Sequence, residues 1–133
     1  MEQALADIRT LVPDFAGYDD EVTRRLADEQ IRAVVGEALA LLHENHPDFF
    51  DGGDLTEGYD RLILRCEFTN QEVFKHFEYE KLSDDQRLAI ARADEALIDK
   101  AQQAESVTAS SLPDYLKGLE AAFDARDAAI MNT

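Results

Sequence analysis

Apolar residues recur along this chain at intervals of three and four, the spacing of a helix face rather than the alternation of a strand. Ala4, Leu5, Ile8, Leu11 and Val12 mark a first short helix. Pro13 ends it, because proline excludes the α region for the residue before it. Asp19 or Asp20 then offers a cap for a long second helix, on which Val22, Leu26, Ile31, Val34, Val35, Ala38, Leu39 and Leu42 form one apolar face to about Asn45. Arg24, Arg25, Asp28, Glu29 and Arg32 fall on the other side. They read as solvent-facing charge pairs, each contributing only about 0.2–0.5 kcal/mol.

Pro47, Asp48, Asp51, Gly52, Gly53 and Asp54 make the clearest loop. Asp54 with Glu57 fits a capping box, followed by Leu55, Tyr59, Leu62, Ile63 and Cys66. Thr69 with Glu72 fits another, ahead of Val73, Phe74, Phe77 and Leu82, although an unbroken stripe from Tyr59 to Phe77 fits the same residues, so one helix or two are both open here. Ser83 with Gln86 repeats the box before Leu88, Ile90, Ala91, Leu97, Ile98, Ala101 and Ala104, a helix expected to run to about Glu105. Ser111 is the expected cap of the last helix, with Pro113 in its first turn and Leu112, Tyr115, Leu116, Leu119, Phe123 and Ile130 on its face. No strand-length alternation survives. The expectation is an all-α fold, a five- or six-helix mainly antiparallel bundle forming one domain over residues 1–133.

Charge narrows the function classes. Thirteen Lys and Arg stand against 29 Asp and Glu, a formal net charge of −16. Such a chain is repelled by nucleic-acid phosphates and anionic headgroups, which argues against direct nucleic-acid binding and polybasic membrane docking. Apolar runs fall far short of the roughly 20 residues needed to span a bilayer, and the N-terminus lacks the basic start and apolar stretch of a signal peptide. The single Cys66 cannot form a disulfide within the chain and fits a reducing compartment, so a cytoplasmic protein is expected. The many alanines on helix faces permit close helix approach, between subunits as readily as within one, and a homodimer is among the expected assemblies.

Candidate chemistry is sparse. His43, His46, Asp48, Asp51 and Asp54 gather within a short span, and imidazole and carboxylate are competent ligands for a divalent metal. The histidines are three apart rather than in an HExxH pattern, and a calcium loop starting at Asp48 would need oxygen ligands where Phe50 and Gly52 stand. His43 and His46 are therefore metal candidates without a complete ligand set, and a helix end followed by an Asp- and Gly-rich turn explains them as well. No Glu-x-x-His occurs, which rejects the di-iron carboxylate bundles, and Glu72, His76 and Glu80 read as an exposed ladder. Cys66 reads as packing, the serines as caps or connectors, and no phosphate loop or nucleophile elbow is present, so no cofactor is implied.

The remaining feature is aromatic. Phe15 and Tyr18 lie in one connection and Phe49 and Phe50 in another. Such rings either tuck over the bundle ends or stay exposed as anchors for a partner. Exposure risks aggregation, which favours the inward placement. If a surface patch binds, these four with Asp48 and Asp51 are the candidate partner-binding set, and the Phe74, Phe77 and Tyr79 cluster is the second choice. The leading functional expectation is a small acidic accessory, adaptor or regulatory protein acting by protein–protein interaction without catalysis of its own, on a partner that could carry a basic surface. The first alternative is an acidic decoy of a basic nucleic-acid-binding enzyme or toxin, against which the even spread of charge counts. The other is a helical-bundle enzyme or ligand carrier with a His and carboxylate site.

Overall fold

The computed structural model describes residues 1–50, 54–68, 70–79 and 81–132, with the side chains of Asp54, Leu55, Glu78 and Tyr79 outside the description. Among the described residues six α-helices carry the fold and no strand occurs: α1 (Glu2–Leu11), α2 (Glu21–Asn45), α3 (Asp54–Glu67), α4 (Gln71–Tyr79), α5 (Asp84–Gln102) and α6 (Leu112–Met131). Two 3-10 turns, Pro47–Phe50 and Gln103–Ser106, follow α2 and α5. None of these helices is long and apolar enough to cross a membrane.

The caps explain the boundaries. Asp20 accepts from the Thr23 amide at 2.8 Å, a bond that holds its carboxyl below the usual carboxylate range. Ser83 and Gln86 form the full reciprocal box, at 3.2 Å and 2.7 Å. Thr69 lies outside the described residues, and the amides of Glu72 and Val73 are received instead by the Asn70 side chain. That cap divides the stretch after Asp54 into two helices. The Asp54 box and the Gly52–Gly53 turn also fall outside the description. Ser111 does not cap α6 through its side chain. Its hydroxyl is taken up by Thr108, accepting from the Thr108 amide and donating to the Thr108 carbonyl. Helix α5 stops at Gln102, and the 3-10 turn accounts for the extra residues expected of it. Between α1 and α2 the backbone turns through Gly17 at φ +100°, where a Cβ would be strained.

Consecutive helices run antiparallel where they pack. The Tyr59 hydroxyl donates to the Leu39 carbonyl, and Arg32 donates to the Cys66 carbonyl, as α3 returns along α2. Tyr115 donates to the Lys100 and Ala101 carbonyls, and Arg126 to Asp94, as α6 returns along α5. Helices distant in sequence pack in parallel. Asp7 meets Arg92 and Leu11 meets Gln102 along α1 and α5, while Arg61 meets Glu120 and Arg65 meets Asp124 and Asp127 along α3 and α6.

The core runs through every helix, with Ile8, Ile31, Leu39, Leu62, Phe77, Ile90, Leu97 and Leu119 fully shielded. Two expectations for α2 are corrected here. Val22 and Leu26 lie on its outer face, 71% and 47% exposed, whereas Arg24 and Asp28 are buried. Helix α2 is surrounded on more than one side, so its inward sector is wider than one apolar stripe and includes charged positions.

Candidate functional site

Helices α2, α3, α6 and α4 form a ring in which each packs on the next, while the two diagonals, α2 with α6 and α3 with α4, make no backbone approach among the described residues. The centre of that ring is a pocket of about 610 Å³, within the size range of small-molecule and side-chain sites. Its apolar wall comes from Leu64 and Phe68 on and just after α3, Val73, Phe74 and Phe77 on α4, and Phe123 and Ile130 on α6. Leu64 and Phe68 stand at the lip, 54% and 68% exposed, among the few large apolar side chains left facing water.

The polar wall is built from buried ion pairs. Arg126 spans the open diagonal between α6 and α2: its Nη1 donates to Asp28 at 2.8 Å and its Nε to Asp94 on α5 at 3.0 Å. Asp28 also accepts from Arg32 at 2.9 Å, and Asp94 from the Tyr18 hydroxyl at 2.6 Å. Two carboxylates thus face two guanidiniums, and the charge of the cluster cancels without solvent. Asp94 is wholly buried, which raises its carboxyl above the usual range against the pull of Arg126 and Tyr18. Burial also pushes the Tyr18 phenol well up, with Asp94 adding to it. For Arg126, burial opposes the charge, yet the facing Asp94 and Asp28 carboxylates hold its pKa above the ordinary arginine value. Its Nη2 is buried without an acceptor among the described residues, and the guanidinium instead faces the Phe77 ring, Cζ 5.4 Å from the centroid. At the rim, Arg65 donates to Asp124 at 2.7 Å and Asp127 at 2.9 Å and lies over Phe123 at 4.2 Å.

Of the sequence-predicted site residues, Phe74 and Phe77 of the second-choice cluster line this pocket, the Tyr79 side chain lies outside the description, and the first-choice set does not converge here. Phe15 and Tyr18 are 2% and 1% exposed, packed edge to face, with Tyr18 against Phe77 in turn. Their rings are core, so neither is an exposed anchor. Phe49 and Phe50 are half-buried at the far end of α2, where Phe50 packs on His43 and Tyr59. Tyr18 sits at Arg24 and Phe50 at His43, so α2 sets the two clusters about 28 Å apart along its axis at 1.5 Å per residue. Asp48 is exposed beside Phe49, and Asp51 lies outside the described residues. His43 stacks on Phe50 while the His46 ring Nε2 lies 3.0 Å from the Val107 carbonyl, so the two imidazoles serve different neighbours. No group of three or more His, Cys, Asp or Glu side chains among the described residues is placed to hold a metal ion. His76 is half-buried with Nε2 shielded, rather than part of an exposed ladder, and Glu80 is outside the description. Sequence reasoning missed Asp28, Arg32 and Arg126 as wall residues. The available signal was the i, i+4 pair Asp28 and Arg32 on the longest helix, which local spacing alone presents as surface.

Each wall carboxylate is held by arginine, and the half-buried Cys66 thiol next to Arg65 is pushed up to about 11 by burial, which keeps it protonated at neutral pH. No protein-family model, no curated protein and no solved structure matches this chain.

Proposed function

We propose that this chain is a non-catalytic accessory or regulatory module that docks a segment of another protein in the pocket between α2, α3, α4 and α6. One observation carries the reading: a roomy pocket walled by phenyl rings whose lip exposes Leu64 and Phe68 to water. Exposed large apolar groups beside a shaped cavity are the usual composition of a docking anchor site. A cytoplasmic setting belongs to the same proposal, supported by the lone half-buried thiol.

The experiment is site-specific photo-crosslinking in the cells that make the protein, with the reactive group at position 68 and a control at exposed position 114. A discrete protein adduct from position 68, absent from 114 and lost when Leu64→Ser is added, is the expected result. Equal labelling from both positions, or none from position 68, would overturn the reading.

A further inference from the structure

The charged groups on the pocket wall cancel. Arg32, Arg65 and Arg126 stand there beside Asp28, Asp124 and Asp127, and each aspartate is bonded to an arginine. A charged occupant would add an uncompensated charge to this lining, so the wall selects a neutral one. The rest of the wall is apolar and largely aromatic, which suits a ring.

One polar atom of the cluster is left without an acceptor. Arg126, whose side chain is 3% exposed, spends Nη1 on Asp28 and Nε on Asp94, while Nη2 has no partner. Asp28 receives Arg126 and Arg32 and keeps lone pairs to spare. The same ion cluster thus holds an unused donor and an unfilled acceptor beside an aromatic pocket. The chain itself shows what fits such a place. Tyr18 sets its ring edge to face against Phe77, with centroids 6.0 Å apart, and donates its hydroxyl to Asp94 at 2.6 Å. Asp28, the other carboxylate on Arg126, lines the pocket and receives no phenol from the described residues.

We infer that the partner segment inserts a tyrosine here, its ring among Phe74, Phe77 and Phe123 and its hydroxyl accepting from Arg126 Nη2 and donating to Asp28. This rests on the docking proposal above and names the anchor. Phenylalanine would leave Nη2 unpaired, the tryptophan ring offers only an N–H, and a carboxylate would unbalance the charges. Nη2 is shielded from water, so the hydroxyl reaches it as the wall side chains part to admit the ring.

The test titrates the full chain with p-cresol, toluene and p-toluate, followed by NMR of the amides and of the arginine side chains. These probes are the side chain of tyrosine, that of phenylalanine and a carboxylate of similar shape. Saturable p-cresol binding should move the amides of Phe74, Phe123 and Arg126, about tenfold or more tighter than toluene or p-toluate, the factor expected of a hydrogen bond to a charged group. The Arg126 Nη signals should move with p-cresol and stay still with toluene. Arg126→Lys keeps a cation between Asp28 and Asp94 but deletes Nη2, and should reduce the preference for p-cresol over toluene to under about twofold. Circular dichroism checks that variant, and if it does not fold, the Nη signals of the parent chain decide. Toluene or p-toluate bound as tightly as p-cresol, Nη signals that stay still, or no p-cresol shift at the pocket would overturn the inference. A specific crosslink from position 68 without the p-cresol preference removes the tyrosine and leaves the docking proposal standing. The preference without a crosslink removes the docking proposal, and the partner's tyrosine with it.

Discussion

The two sides of this bundle are closed by different means. Where α1, α2 and α5 meet, the buried positions include Ala4, Ala27, Ala38, Ala91 and Ala101. Small side chains let helix axes come close, and what remains there are two smaller clefts of about 400 and 440 Å³ along the seams of α5 with α2 and with α1. On the α3 and α4 side the inward residues are Phe74 and Phe77 of α4 and Phe123 of α6, and the shorter helices α3 and α4 lean on α2 and α6 without meeting each other. Bulky rings hold the helices apart and leave a pocket that side chains line but do not fill. The difference shows that one bundle can pack closely on one side and leave its widest cavity on the other, depending on whether its helix faces are small or aromatic.

The buried ion cluster stands at the border between the two sides, and breaking it carries the largest expected effect. Arg126→Met leaves Asp28 and Asp94 facing each other across the core, and removing one partner of a buried pair costs about 3–5 kcal/mol. Urea denaturation at neutral pH should show that loss. Arg65→Met at the rim, where the side chain is 27% exposed, should cost under about 1 kcal/mol. Similar costs for the two would mean that Arg126 is not the strut between the closed and open sides.

The Cys66 thiol, half-buried where α3 packs on α2 near Gly36, reports how far that seam excludes water. With its pKa at about 11 rather than 9.0, Cys66 should be alkylated by iodoacetamide about 100-fold more slowly at pH 8 than an unperturbed thiol, the rate climbing as pH rises toward 11. The sign of the linked stability follows: the folded state favours the neutral thiol, so this contribution is complete below 9.0 and is lost as pH rises through about 11. Alkylation at the rate of an unperturbed thiol would show that water reaches Cys66 freely.

A pair of enlargements gives the smallest and most direct comparison. Ala27→Leu on the closed side forces overpacking and should cost about 1–3 kcal/mol. Val73→Ile, at the wall of the pocket, has space to grow into and should change stability by under about 1 kcal/mol. Equal costs in chemical denaturation would sink the distinction between a filled and an unfilled side.

Much of this was legible in the chain. The helices from Glu2, Glu21 and Asp84 begin and end close to where spacing, Pro13, Asp20 and Ser83 place them, because caps and breakers act within a turn or two. The same local logic favoured the inward placement of Phe15 and Tyr18, and both are core. It failed where two local partners stood close together: the Asn70 side chain receives the first amides of α4, and the Ser111 hydroxyl bonds Thr108 rather than capping α6. The site was less legible still. The wall residues Asp28, Arg32 and Arg126 come from two separate helices, and nothing in the spacing of either indicates that they meet.

Helix content, helix ends and an acidic surface were therefore determined by sequence alone, since they depend on interactions between residues a few positions apart or on simple sums of charge. Helix direction and neighbour choice were decided only in three dimensions, as were the burial of Arg24, Asp28 and Arg126 and the opening of a pocket at the crossing of two unmade diagonals. The physical reason is burial. Whether a charged or apolar side chain meets water depends on which other helices surround its own, and no local periodicity carries that information.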